Sequence, residues 1–135
     1  ILPLIVEEPG SELALRWLRD DRDLMLWGLT RLELASAIER RAREGLLRPR
    51  ERSAALRRAQ RITDDAHEVV DLAAVRSRAA AVLARHALRA ADAAQLGAAL
   101  LIADPEPASL TMVVLDRRLA AAAEREGLNV LTWLE

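Results

Sequence analysis

The stretch "LTMVVLDRRLAAAAEREGLNVL" (Leu110–Leu131) decides the fold class. Its first six residues, 110–115, are mainly β-branched and apolar, which predicts a strand. A helix follows from Asp116 and stops at Gly127, and a second short strand is expected over Leu128–Trp133. Two continuously apolar strands that are joined by a helix are typical of a parallel sheet covered on both faces.

The rest of the chain repeats this alternation. A short helix is expected at "ILPLIV", and apolar strands are expected at 24–27 and 67–72. Helical patterns cover the ranges 11–20, 30–44, 49–62, 73–88 and 88–101. Ser11 is the expected N-cap of the first long helix, and Gly45 is expected to end the second. The pattern predicts one α/β domain over residues 1–135 with a mostly parallel central sheet.

Composition excludes several classes of protein. The chain has 135 residues, a formal net charge of −1, two histidines and no cysteine. A disulfide framework, a thiolate metal site and a histidine-rich zinc site are therefore not expected. No apolar run reaches the length of a membrane span and no signal-peptide pattern is present, so a soluble cytoplasmic protein without a membrane partner is expected.

Asp92 is the residue that local structure explains least. In "LRAADAAQLGAALL" (88–101) it falls on the helical face of Leu96, Ala99, Leu100 and Ala103, which should be buried. A first-turn acid gains about 0.5 kcal/mol from the helix dipole. Desolvation of an unpaired carboxylate costs several times more. Asp92 therefore needs a partner, which is either a cation or a salt bridge to a residue such as Arg89 or Arg31.

Two more acids follow predicted strands. Glu33 lies in the first turn after the strand at 24–27, and Asp116 directly follows the strand at 110–115. The structural alternatives are a capping box of Thr30 with Glu33 and an N-cap role for Asp116. Ligands of parallel sheets bind beyond the carboxyl ends of the strands, where these acids would meet. Three carboxylates without His or Cys suit Mg²⁺ or Mn²⁺, which can activate water for attack on a phosphodiester.

The order of "LTRLELASAIERR", "LRAADAAQLGAALL" and "VVLDRRLAAAAEREGLNVL" resembles the PIN-domain ribonucleases, in particular the VapC-type toxins of toxin–antitoxin pairs. This resemblance covers essentially the whole chain. It implies a PIN-like three-layer α/β/α fold and a metal-dependent endoribonuclease. Glu33, Asp92 and Asp116 match the family's second, third and fourth acids, so they are its implied catalytic and metal-binding residues. The family's first acid ends an N-terminal strand, in a segment like "DTSA" that would precede Ile1.

The resemblance also implies partners, namely an RNA substrate, a VapB-type antitoxin and a second copy in a homodimer. Arg117 and Arg118 adjoin Asp116 and are candidates for contacting RNA phosphates, although they equally suit an ordinary helix surface. An alternative function is a catalytically inactive PIN-like interaction module, in which the three acids are helix caps and salt-bridge partners. A nuclease acting on DNA would use the same chemistry.

Two further features have structural alternatives. The helix that begins at Pro49 is rich in arginine, which indicates contact with RNA phosphates or an acidic partner peptide. For most of these arginines the favoured interpretation is a solvated face on which they pair with Glu51 and Asp64. His86 falls on an apolar stripe, where a packed, hydrogen-bonded role is favoured over catalysis.

Overall fold

A computed structural model of the chain describes residues 1–7 and 9–132. A 3₁₀ turn at Leu2–Leu4 precedes the first helix, and a second such turn lies at Pro107–Ser109. The α-helices are α1 (Ser11–Asp20), α2 (Thr30–Arg43), α3 (Pro49–Asp64), α4 (Leu72–Arg85), α5 (Ala90–Ile102) and α6 (Arg117–Arg125). The strands are β1 (Met25–Trp27), β2 (His67–Val69), β3 (Thr111–Val113) and β4 (Asn129–Leu131).

The predicted strand–helix–strand unit at the end of the chain is confirmed. Strands β3 and β4 pair in parallel, with Thr111 opposite Asn129 and Val113 opposite Leu131. Gly127 ends the intervening helix with a φ of +90°, a backbone conformation that glycine adopts without steric cost. Trp133, which ended the predicted final strand, lies outside the described residues.

The chain is mixed α/β, as expected. Within the described residues the strands form two two-stranded sheets, β1 with β2 and β3 with β4. The expectation that both faces of the strands are covered is wrong for these residues: Val113 is 50% exposed, and Met25 and Leu131 are also exposed. In β3 and β4 the exposed Val113 and Leu131 flank Met112 and Val130, which pack against the buried cluster, so one face of this sheet is covered and the other faces solvent. The three-layer arrangement and the single domain remain predictions.

Contacts divide the chain into an N-terminal unit, Ile1–Glu68, and a C-terminal unit, Val69–Glu135. In the N-terminal unit α1 spans the predicted residues, but its N-cap is Gly10 rather than Ser11. Gly10 has a φ of +91°, so the chain turns into the helix one residue earlier than the serine pattern indicates. The Ser11 hydroxyl instead donates to the Val6 carbonyl at 3.3 Å.

Arg31 joins three elements of the N-terminal unit. From the first turn of α2 its guanidinium donates to Asp64 at 2.7 Å and to the Thr63 carbonyl at 2.7 Å, both at the end of α3. It also donates to Glu68 in β2. The Thr63 side chain is almost fully buried, and its hydroxyl donates to the Ala59 carbonyl at 2.9 Å. Arginine presents several donors in a fixed planar arrangement, which allows one side chain to bind all of these acceptors.

The core of the C-terminal unit forms where α4 packs against α5. At Gly97 the two backbones approach so closely that a Cβ would lie 2.9 Å from the Ala79 nitrogen and 3.1 Å from the Val75 carbonyl oxygen. Val82 and Leu96 are completely buried beside this contact. Only glycine leaves room for a backbone contact of this kind.

Substitution Gly97→Ala should therefore destabilise the protein. Alanine favours a helix over glycine by about 1 kcal/mol, but the close contact with rigid backbone should cost more than this gain, as overpacking typically costs about 1–3 kcal/mol. Urea unfolding followed by circular dichroism measures the change. Increased stability of the variant would show that the backbones do not approach this closely.

The ends of α4 and α6 are joined by charged side chains. Arg85 binds both carboxylate oxygens of Glu126 at 2.9 Å, and His86 Nε2 lies 2.6 Å from Glu126 Oε1. His86 is nearly buried and its Nδ1 has no partner, which fits an imidazole that donates from Nε2 and accepts nothing at Nδ1. The packed, hydrogen-bonded role expected for His86 is confirmed. The Arg85 guanidinium, and then His86, lower the pKa of Glu126.

This pKa shift predicts a loss of stability in acid. Because the folded-state pKa of Glu126 is lowered, its ion pair stabilises the protein above the ordinary carboxyl pKa and is lost as the pH falls through the lowered value. Glu126→Gln should reduce stability at pH 7 by about 1–3 kcal/mol, since it leaves Arg85 and His86 without the charged acceptor. The free energy of unfolding of the Glu126→Gln variant should also depend less on pH below about 5, which is near the ordinary pKa of a glutamate side chain.

Glu124→Gln is the matched control, because Glu124 is an exposed residue of the same helix. Thermal unfolding from pH 3 to pH 7 would compare the two variants. Equal acid sensitivity of Glu126→Gln and the unsubstituted protein would contradict the assignment.

Candidate functional site

Asp116 occupies the position where β3 leads into α6. Its Oδ1 accepts hydrogen bonds from the backbone nitrogens of Arg118 and Leu119, both at 2.9 Å, so the residue is the N-cap of the helix. The side chain is exposed. Its Oδ2 forms no hydrogen bond with any residue that the structure describes. The capping role is confirmed, and one carboxylate oxygen remains accessible to a ligand.

Asp92 lies in the first turn of α5, at the edge of the buried face rather than within it. The expectation of a buried carboxylate is wrong, because burial increases along the helix: Arg89, Ala90 and Ala91 are exposed, Asp92 is half-buried, and Ala93 is completely buried. The helical pattern correctly identified the face. It did not show that packing begins one residue after the acid.

Asp92 has no protein partner among the described residues of its unit. It accepts no hydrogen bond from the backbone of α5 and forms no ion pair with Arg89. The guanidinium of Arg31 is bound to Asp64, Glu68 and Thr63. The salt bridge to Arg89 that the sequence suggested is therefore wrong, and Arg31 is engaged within its own unit. A half-buried carboxylate that is bound neither to an arginine nor to a helix cap is left to bind water or a cation.

Glu33 is half-buried in the first turn of α2, as predicted. The capping box of Thr30 with Glu33 is wrong, because the helix begins one residue earlier than this motif requires. Leu29 is the N-cap, Thr30 is already helical, and no side chain caps this end. Glu33 borders a shallow surface depression of about 380 Å³ that is also lined by Leu32, Ser36, Ala37 and Arg40.

The structure places two of the three acids in one unit. Asp92 and Asp116 lie at the starts of α5 and α6, which pack against each other. Ala93, directly after Asp92, and Leu119, three residues after Asp116, belong to the same buried cluster. Glu33 belongs to the N-terminal unit. Across residues 1–7 and 9–132, no group of three or more His, Cys, Asp or Glu side chains is close enough to hold a metal ion.

Arg117 and Arg118 are both exposed at the start of α6, next to Asp116. The backbone nitrogen of Arg118 is committed to the cap, but its guanidinium forms no ion pair within the described part of the chain. An arginine in this position can meet a phosphate that approaches the end of the helix.

The arginine-rich helix α3 begins at Pro49 as predicted, but the proposed pairing of its arginines with Glu51 and Asp64 is wrong. The Glu51 carboxylate accepts from the backbone nitrogen of Arg48 at 2.7 Å, and Asp64 binds Arg31. Among the arginines of this helix, all of which the structure describes, Arg52 alone forms an ion pair, with Glu39 of α2. The two acids are therefore bound by a helix end and by a neighbouring helix, and they do not pair with the exposed arginines of α3.

In comparisons with known proteins, no family model and no curated protein matches this sequence. None of the described helices is long and apolar enough to cross a membrane.

The capping and ligand roles of Asp116 can be separated by substitution. Asn caps a helix about as well as Asp, whereas Ala does not, so Asp116→Ala should lose about 0.5–2 kcal/mol of stability and Asp116→Asn should lose little. Urea unfolding in the presence of chelator measures both. Equal losses in the two variants would mean that the negative charge, rather than the cap, stabilises α6.

Proposed function

We propose that the protein is a metal-dependent endoribonuclease of the PIN type, the toxin of a toxin–antitoxin pair. The observation that carries this proposal is Asp92, a half-buried carboxylate with no partner in its unit, at the start of a helix packed against the one that begins with Asp116. The proposed metal ligands are Asp92, Asp116 and Glu33, and the proposed ion is Mg²⁺ or Mn²⁺.

The chain path supports a common location for Asp92 and Asp116. Helix α5 has 13 residues and is about 20 Å long. The extended segment 110–116 that leads to Asp116 has nearly the same length, at about 3.3 Å per residue. If the chain reverses direction between them, in the loop after Ala103, the two acids come level at the same end of the C-terminal unit.

The donor atoms fit a hard cation. Asp92 offers a carboxylate that is not used by the protein, and Asp116 offers Oδ2 while its Oδ1 holds the helix cap. Both are oxygen ligands of the kind that Mg²⁺ and Mn²⁺ prefer. Such an ion supplies Lewis acidity toward water and toward a phosphodiester oxygen. Arg117 and Arg118 would bind the adjoining phosphate, and the buried Ala93 and Leu96 would keep one side of Asp92 dry.

The proposed partners follow from the same family resemblance. They are an RNA substrate, a VapB-type antitoxin and a second copy of the chain.

A second candidate is an interaction module without catalysis. The observation that favours it is the N-cap formed by Asp116. Stabilisation of the helix is by itself a sufficient reason for an aspartate at this position, without a bound ligand. In this case Asp92 would be hydrated, and metal ions would not change stability.

Cleavage of a mixed RNA pool by the full-length protein, with Mn²⁺ or with chelator, tests the proposal. Cleavage should require the metal and should fall at least about a hundredfold, or about 2.7 kcal/mol in activation free energy, in Asp92→Asn and in Asp116→Asn. The latter variant keeps its helix cap, so its loss cannot be attributed to unfolding. Asp20→Asn, at an exposed aspartate of α1, is the matched control and should retain activity.

Thermal unfolding with Mn²⁺ gives a readout independent of cleavage. At a metal concentration one hundred times the dissociation constant, stability should rise by about 2.7 kcal/mol. This increase should be absent from Asp92→Asn and retained in Asp20→Asn. Metal-independent stability together with no RNA cleavage would favour the interaction module.

A further inference from the structure

The arginines of the N-terminal unit are concentrated in one part of it. Between Arg40 and Arg61 the sequence has nine arginines and two acids, Glu44 and Glu51, although the whole chain has a net charge of −1. Helices α2 and α3 in this segment pack against each other. The segment therefore has a net charge of +7, whereas the rest of the chain has a net charge of −8, so the positive charge of the protein is concentrated on this surface.

The protein neutralises little of this charge. Arg52 is bound to Glu39, and the Glu51 carboxylate is held by the backbone of its own helix. Arg50, Arg57 and Arg61 are exposed and form no hydrogen bond or ion pair with any residue that the structure describes. Like charges at this density repel one another, so an anionic partner would be bound favourably.

Three of these arginines form a row along α3. At about 100° and 1.5 Å per residue, Arg50, Arg57 and Arg61 fall within about 40° of one another, at intervals of about 10 and 6 Å along the axis. This arginine row lies opposite Ala55 and Ala59, which are buried. It therefore points away from the core.

The arginine row leads to a shallow depression of about 340 Å³. Its lining includes Arg61 from the row together with Arg19 and Arg22, which lie at the end of α1 and just beyond it. One acid, Asp65, also lines it. Three guanidinium groups around a concave surface are suited to a phosphate, which each of them can bind through two parallel hydrogen bonds.

We propose that the arginine row of α3 and the depression beside Arg19 and Arg22 bind the phosphodiester backbone of a single-stranded RNA without reading its sequence. The proposal rests on the proposed function for RNA as the biological ligand. A nucleic-acid strand carries one negative charge per nucleotide at regular intervals, which matches a row of arginines on a straight helix. Sequence would not be read, because phosphate contacts carry no base information.

An acidic peptide fits this surface less well. Protein interfaces place most of their binding energy in large buried aromatic or apolar anchors and in arginines that fill pockets. Leu56 lies away from the arginine row, and Ile62 lines the depression together with Leu18 and Leu24; all four side chains are half-buried, and none lies in the row itself. The row therefore offers repeated charge without an apolar anchor.

The test measures binding of a fluorescent 12-nucleotide RNA to the full-length protein in chelator, where metal-dependent cleavage is absent. The triple variant Arg50→Gln, Arg57→Gln, Arg61→Gln should weaken binding at least tenfold at moderate salt. Its slope of log affinity against log salt should fall by about 2, since each lost phosphate contact removes about 0.7 for a single strand. Glutamine favours helices about as well as arginine, so α3 should remain folded.

The matched control removes the same net charge elsewhere. Arg16, Arg76 and Arg125 are exposed arginines on three separate helices, and their triple replacement by Gln should leave affinity and salt slope nearly unchanged. If both triple variants lose affinity equally, binding depends on net charge alone and the proposal is overturned. Circular dichroism of each variant establishes that the helices are retained.

Two further ligands identify the chemistry that is bound. Single-stranded DNA of the same sequence should lose affinity in the same way, because the contacts are to phosphates. Polyglutamate of equal length should bind at least tenfold more weakly than RNA, and equal binding would overturn the proposal in favour of an acidic peptide.

The binding test of this inference and the cleavage test of the proposed function can fail independently. RNA binding that depends on the arginine row, without any metal-dependent cleavage, would support this inference and reject the nuclease. Cleavage that requires Asp92, together with RNA binding that the triple variant leaves unchanged, would support the nuclease and reject this inference.

Discussion

The close approach of α4 and α5 at Gly97 is the constraint on which the C-terminal unit depends. The two backbones almost touch there, so no side chain fits between the helices at this point. The core beside the contact is built from alanine, valine and leucine side chains. This core also includes residues of α6 and of the segment that leads out of β3, such as Leu119 and Val114. The same buried cluster contains Ala93 and Leu119, so it holds the helix that begins near Asp92 against the helix that Asp116 caps.

The two acids show how a helix N-terminus can hold negative charge in different ways. Asp116 binds two backbone nitrogens directly, and this orients its carboxylate while leaving one oxygen unused. Asp92 receives only the general stabilisation that the positive end of a helix gives to an anion. A ligand at Asp116 would therefore meet a carboxylate that is already oriented, whereas a ligand at Asp92 would itself have to order the side chain. This difference makes Asp92 the more sensitive reporter of a bound cation.

Local patterns predicted the elements of this chain well and their surroundings poorly. The bounds of α1 and the cap of α6 follow from residues within one or two turns of each other, and the parallel pairing of β3 with β4 follows from the strand–helix–strand pattern of one continuous segment. The burial of Asp92 was overestimated because a helical pattern identifies a face but not where packing against other helices begins. The capping box predicted at Thr30 is displaced by one residue, since the helix starts at a backbone turn rather than at a hydroxyl.

Gly97 carries no sequence signal that separates a close contact from a tolerated glycine. The proposed common location of the three acids would depend on long-range packing, which local sequence patterns do not specify.

The arginines illustrate the same limit in electrostatic terms. Sequence proximity suggested that the acids of α3 would neutralise its arginines, yet Asp64 is taken by Arg31, which lies 33 positions earlier. That long-range contact has two consequences. It ties the start of α2 to the end of α3, and it removes the acid that would otherwise shield the arginine row. An ion pair that stabilises the fold at one end of a helix thus leaves positive charge uncompensated along its outer face. The charge available for binding is set by the tertiary contacts that consume the acids, and not by the number of arginines in the sequence.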